Sequence, residues 1–135
     1  MTASSVSFPA AVLMAAIGMG WGIYMAISKD HSTMPAHAHL NLLGWVSLFL
    51  IGVFYRLHPV LDRSRVALVQ AGVWIVATAV MTVGIALIMT GSEIGEPIAA
   101  VSSIVVFADM LLFGWLVVGN RQSGRADADM PLAAE

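Results

Sequence analysis

Of the 135 residues, 59% are hydrophobic and only 10% charged, where a soluble domain carries roughly 45–50% apolar and about 25% charged residues, so no soluble surface can be built from this chain. Six Lys and Arg against eight Asp and Glu, for a net charge of -2, leave no basic footprint for nucleic acid. The absence of cysteine excludes disulfides, thiolate metal sites, iron–sulfur clusters and a thioether-linked haem.

Crossing about 30 Å of hydrocarbon takes about 20 helical residues, and four stretches reach that length: residues 8–27, 35–57, 66–89 and 97–118. They predict an all-α integral membrane protein, a four-helix bundle formed by residues 1–118 and surrounded by lipid. Before Pro9 there is no Lys or Arg, and the first stretch is full length, so it reads as a spanning helix and not as a cleavable signal. Along it Ala11, Ala15, Gly18, Gly22 and Ala26 recur every three or four residues, a small-residue face of the kind that lets helices approach closely. The connections 28–34, 58–65 and 90–96 are short and polar, and residues 119–135 form a small-residue, acidic tail expected to be disordered. Arg56, Arg63, Arg65, Arg121 and Arg125 fall on one side of the membrane, against Lys29 on the other. Basic residues are retained in the cytoplasm, so both termini are expected there, in a multi-pass protein of the cell inner membrane.

The second helix opens Pro35-Ala36-His37-Ala38-His39-Leu40-Asn41. Pro35 suits a first helical turn, and two ionisable side chains inside a span are costly enough to mark a ligand, a relay or a lined cavity. Residues two apart differ by about 200° around a regular helix, so His37 and His39 project to nearly opposite faces and cannot chelate one ion together. Asn41, Gly44, Leu48 and Ile51 follow on the His37 side, where Gly44 leaves room for a flat group. Leu42, Val46, Leu50 and Val53 extend the His39 side.

His37-Ala38-His39, with Asn41, Gly44 and Trp45, resembles the haem-binding helix of haem–copper oxidase catalytic subunits, the C-type cytochrome oxidases above all. The run Gly52 to Pro59 extends the likeness over about 23 residues. The resemblance implies His37 as ligand of a high-spin haem and His39 as ligand of a low-spin haem, with Asn41 and Gly44 beside them. That family's core is three four-helix units; this chain is one unit long, which implies a homotrimer that rebuilds the ring. The adjacent His-His pair, further intramembrane histidines for copper and a linkable His and Tyr are all missing. Whether the chain is an enzyme acting on oxygen or nitric oxide therefore stays open. Electron transfer or gas sensing through non-covalent haem b is the leading expectation, with a redox partner implied. A six-coordinate haem takes two imidazoles from different helices, and sharing it between His37 of one protomer and His39 of the next suits their opposite faces.

Other polar residues offer less. His31 with Asp30, Met34 and His37 supplies donors for copper or zinc in a site without haem. His58, beside Pro59, reads as an interfacial residue. Asp109 is the single acid inside a span, about 12 residues past Pro97 and so near mid-membrane. Thr78 and Thr82, at comparable depth, are its expected hydrogen-bond partners, and a proton relay is the functional reading. The nine methionines are scattered through the spans as gap fillers.

Overall fold

The computed structural model describes the backbone of residues 1–128 and the side chains of residues 1–119. The protein is all-helical, with α1 Ala3–Ser28, α2 Met34–Leu57, α3 Arg65–Met89 and α4 Gly95–Ala128. All four are long and apolar enough to cross a membrane. In each, only 22% to 33% of the most apolar window is buried within the fold. Exposed side chains such as Leu13, Ile17, Leu50, Val76, Ile104 and Phe107 would be an aggregation surface in water and are ordinary in lipid. The chain is a multi-pass membrane protein.

Local chemistry sets the helix ends. Thr2 and Ser5 form a capping box, the Ser5 N–H donating to Thr2 Oγ1 at 3.2 Å and the Thr2 N–H to Ser5 Oγ at 3.0 Å. This starts α1 earlier than the apolar run predicts and leaves Pro9 inside the helix. Lys29 closes α1 in the left-handed region at φ 56°. Ser64 caps α3 by accepting from the Ala67 N–H at 3.1 Å. At its far end, α4 runs to Ala128; residues 129–135 of the tail lie outside the described residues.

The Ser28–Met34 and Thr90–Glu96 connections lie at one end of the bundle, which also carries His37 and His39. The N-terminus and the Leu57–Arg65 connection lie at the other, with Arg56, Arg63 and Arg65. At this arginine end the carboxylate of Asp62, in the single helical turn Pro59–Asp62, accepts from the Ser4 N–H at 2.7 Å and the Ser4 hydroxyl at 2.8 Å. Burial pushes its carboxyl up, but those bonds, the Thr2 hydroxyl and the nearby Arg56 outweigh burial and hold it below the ordinary 3.8. A negative charge on the first turn of α1 also suits the helix dipole.

The bundle is built around α3, whose Ala67, Ala71 and Trp74 are fully buried. This helix packs on α1 and α2 with one side and along the length of α4 with the other. Close approach comes from glycine. A methyl group built on Gly84 would lie 2.7 Å from the Ala99 main-chain nitrogen, and one on Gly52 3.1 Å from Ser7 Cβ. Of the predicted small-residue face of α1, Ala11, Ala15 and Gly18 are buried, with Gly18 against Asn41 and half-buried Gly22 against His37 of α2, while Ala26 is exposed.

Candidate functional site

The second helix is not regular. It is α-helical over Met34–His39 and Leu48–Leu57, but π-helical over Leu40–Ser47 between them. Such stretches are rare and are frequently found at functional sites; this one begins at the residue after His39. Its carbonyls are held by side chains as well as by the backbone. The Trp74 indole N–H donates to the Leu43 carbonyl at 3.0 Å, and the Ser47 hydroxyl to the Leu42 carbonyl at 2.8 Å. The Leu43 carbonyl also takes the Leu48 N–H, the i→i+5 bond that defines a π turn.

The two histidines differ in setting. His39 is exposed, and its Nδ1 lies 2.7 Å from the Pro35 carbonyl oxygen. A carbonyl only accepts, so Nδ1 carries the proton and Nε2 keeps its lone pair. A ligating imidazole is held in this manner, by its second nitrogen, so that the tautomer and the ring direction are fixed in advance.

His37, in contrast, is half-buried and faces α1. A methyl group built on Gly22 would lie 3.1 Å from its Cε1 and 3.7 Å from its Nε2. Asn41 sits under it, donating Nδ2–H to the His37 carbonyl at 2.9 Å and lying 3.4 Å from His37 Nδ1. That donor beside Nδ1 puts the ring proton on Nε2. Asn41 itself fills the place of a side chain at Gly18, 2.5 Å from where a methyl group would stand. The expected opposite projection of His37 and His39 is observed: one ring lies in the α1–α2 seam and the other on the open face. The room expected at Gly44 is already filled, since a methyl group there would lie 2.5 Å from Met14 Sδ.

Outside α2 the donors stay apart. Among the described residues no group of three His, Cys, Asp or Glu side chains is close enough to hold a metal ion, so Asp30, His31 and His37 are not brought together. The main-chain N–H and hydroxyl of Ser32 hold the Asp30 carboxyl below its usual range, the N–H donating to it at 2.9 Å. That bond closes a turn in the connection. His58 donates Nδ1–H to the Phe54 carbonyl at 2.7 Å and stacks on the Phe54 ring, centroids 4.3 Å apart, at the arginine end.

No family model, curated protein or solved structure matches this chain. The likeness to the oxidase helix therefore rests on the residues of α2 alone.

Asp109 has a different partner from the one expected. Gln70 Nε2 donates to Asp109 Oδ2 at 2.7 Å, and the Tyr55 hydroxyl donates to Gln70 Oε1 at 2.7 Å. All three are at most 5% exposed, and they come from α4, α3 and α2. Thr78 and Thr82 do not reach the acid: the Thr82 hydroxyl donates to the Thr78 carbonyl at 2.9 Å, and Thr78 Oγ1 is buried without a partner among the described residues. The reason is reach. In the antiparallel α3–α4 pair Gly84 meets Ala99, so Asp109 falls level with Trp74, four residues from both Gln70 and Thr78, and only the longer glutamine side chain spans that gap. Gln70, uncharged within an apolar run, was the partner that sequence reasoning passed over.

Proposed function

We propose that this chain is a b-type haem protein of the inner membrane, with the termini and the arginine end in the cytoplasm, and that it works in electron transfer or gas sensing. The observation that carries this reading is His39: an exposed imidazole inside a span, with Nδ1 tied to the Pro35 carbonyl and Nε2 left to ligate. An exposed ring next to a π-helical stretch has no packing task to explain it. The likeness of His37-Ala38-His39 to the oxidase helix adds the identity of the group, and the lack of cysteine makes attachment non-covalent.

The residues present fit haem through His39 and only partly through the others. His39 supplies Nε2, and Pro35 holds the ring and raises its basicity. A second imidazole would have to come from another copy of the chain, because one chain offers no second exposed intramembrane histidine among the described residues. In the trimer we favour, it is His37 of the neighbouring protomer, whose ring must turn away from Gly22, leave Asn41 and move its proton from Nε2 to Nδ1 to present Nε2. Asn41 and Gly44 face α1 and shape the helix seam behind the histidines. When bound, haem would supply one-electron chemistry at iron and a site for a diatomic gas.

An absorption spectrum of protein from haem-replete cells, oxidised and reduced, tests this, with iron, copper and zinc measured on the same sample. A Soret band with sharp reduced α and β bands and stoichiometric iron is the expected result. Copper or zinc without a Soret band would replace haem by a metal site, and none of these would leave a structural subunit. Mass measurement in detergent is expected to give three copies; a stable monomer with full haem would refute shared ligation.

A further inference from the structure

We propose that Asp109 is a proton-exchange site inside the bilayer, built by α2, α3 and α4 together and separate from the histidines. Three observations on the carboxyl lead to it.

The first is what the carboxyl lacks. Its one hydrogen bond among the described residues is the Gln70 amide at Oδ2, 2.7 Å away, and no cation pairs with it there. A carboxylate in hydrocarbon is expensive in that setting, while the acid form is not. If the role were only to link α4 to α3, asparagine would accept the same bond without that liability. The carboxyl adds the capacity to gain and lose a proton, which an amide does not have.

The second is orientation. Tyr55 donates to Gln70 Oε1 at 2.7 Å, which fixes the amide so that its N–H side must face Asp109. Asp109 Oδ2 is therefore always an acceptor, and the exchangeable proton resides on Oδ1. That oxygen has no partner among the described residues, and unlike Thr78 Oγ1 it is not fully sealed inside the fold.

The third is position. In the α3–α4 register Asp109 falls level with Trp74, roughly 13–14 Å along the axis from Arg65 at 1.5 Å per residue and nearer that end of α3 than its Met89 end. The proton is therefore exchanged with water at the arginine end. The exchange is simple to balance: the Oδ1–H bond breaks, the proton passes to water and the electron pair stays on the carboxylate. The groups facing Asp109 are Gln70 from α3 and Tyr55 from α2, with Asp62 acting on Tyr55 from beyond; α1 presents none. Because Gln70–Asp109 is the single side-chain hydrogen bond from α4 to the rest of the bundle among the described residues, ionisation also bears on how α4 is seated.

Dicyclohexylcarbodiimide, an apolar reagent that adds to protonated carboxyls, tests this on the full chain in lipid nanodiscs, with labelled peptides read by mass spectrometry. Asp109 is expected to label at low pH and to lose at least tenfold of its label as pH rises while the fold persists. Asp109→Asn should take none and Asp109→Glu should restore it. Gln70→Leu should shift the pH at which label is lost, where a merely structural link would leave it unmoved. Label that is constant across the pH range, or absent from folded protein and present only after denaturation, would overturn the proposal.

Discussion

Gly44→Ala separates packing from cofactor binding. The new methyl group would stand 2.5 Å from Met14 Sδ, 3.2 Å from Met14 Cβ and 3.3 Å from Met14 Cγ. The sulfur can swing to another rotamer, at about 0.5–1.5 kcal/mol where the new angle is off-minimum. Met14 Cβ cannot, so α1 must give by a few tenths of an ångström, and overpacking of this kind costs about 1–3 kcal/mol. Up to about 1 kcal/mol returns from replacing glycine in a helix. The net expectation is a loss of about 1 kcal/mol, with haem content unchanged. Met14→Ala alone opens a cavity and costs about 2–5 kcal/mol. In the double variant the methyl group added at position 44 enters that cavity, so the two losses should fall short of their sum by about 1 kcal/mol. Unfolding of the four proteins in detergent, followed by circular dichroism, measures the cycle. Strict additivity, or loss of haem at unchanged stability in Gly44→Ala, would refute this account of Gly44.

Thr78→Val removes the one buried hydroxyl that lacks a partner among the described residues and keeps its shape. We expect a gain of about 1 kcal/mol in the same unfolding assay, and a loss would show that the hydroxyl is satisfied by water or by another subunit. Asp62 should make stability acid-sensitive. Its carboxyl is held below the ordinary 3.8 in the fold, so its contribution is full above that value and is lost as pH falls through the lower folded value. Asp62→Asn should cost about 1–2 kcal/mol at neutral pH and flatten the acid limb; an unchanged limb would place the acid sensitivity elsewhere.

Much of the frame was legible because it follows from length and hydropathy alone. The four spans lie where uninterrupted apolar runs put them, and Pro35 at the head of α2 and the small residues of α1 did as their chemistry suggests. The opposite projection of His37 and His39 survived the π-helical stretch because both precede it. That stretch itself was not legible: Leu-Asn-Leu-Leu-Gly-Trp-Val-Ser reads as ordinary helix, and what holds it open is partly Trp74, a long way off in sequence. Gly44 was misjudged for a related reason, since vacancy along one helix says nothing about which neighbouring side chain fills it. Asp109 was paired with threonines by counting depth from Pro97, whereas the register set at Gly84 leaves it four residues from both Thr78 and Gln70, and only the longer glutamine side chain reaches it. The lone amide in the third apolar run was the available signal.

The central claim is that the free Nε2 of His39 ligates haem iron. Reduced-minus-oxidised spectra of the wild type, His37→Ala and His39→Ala, purified alike and normalised to protein, test it most directly. The account predicts that His39→Ala loses the haem bands altogether, while His37→Ala, which must leave the seam to ligate, loses low-spin character and affinity. Full haem occupancy with an unaltered spectrum in His39→Ala would contradict it.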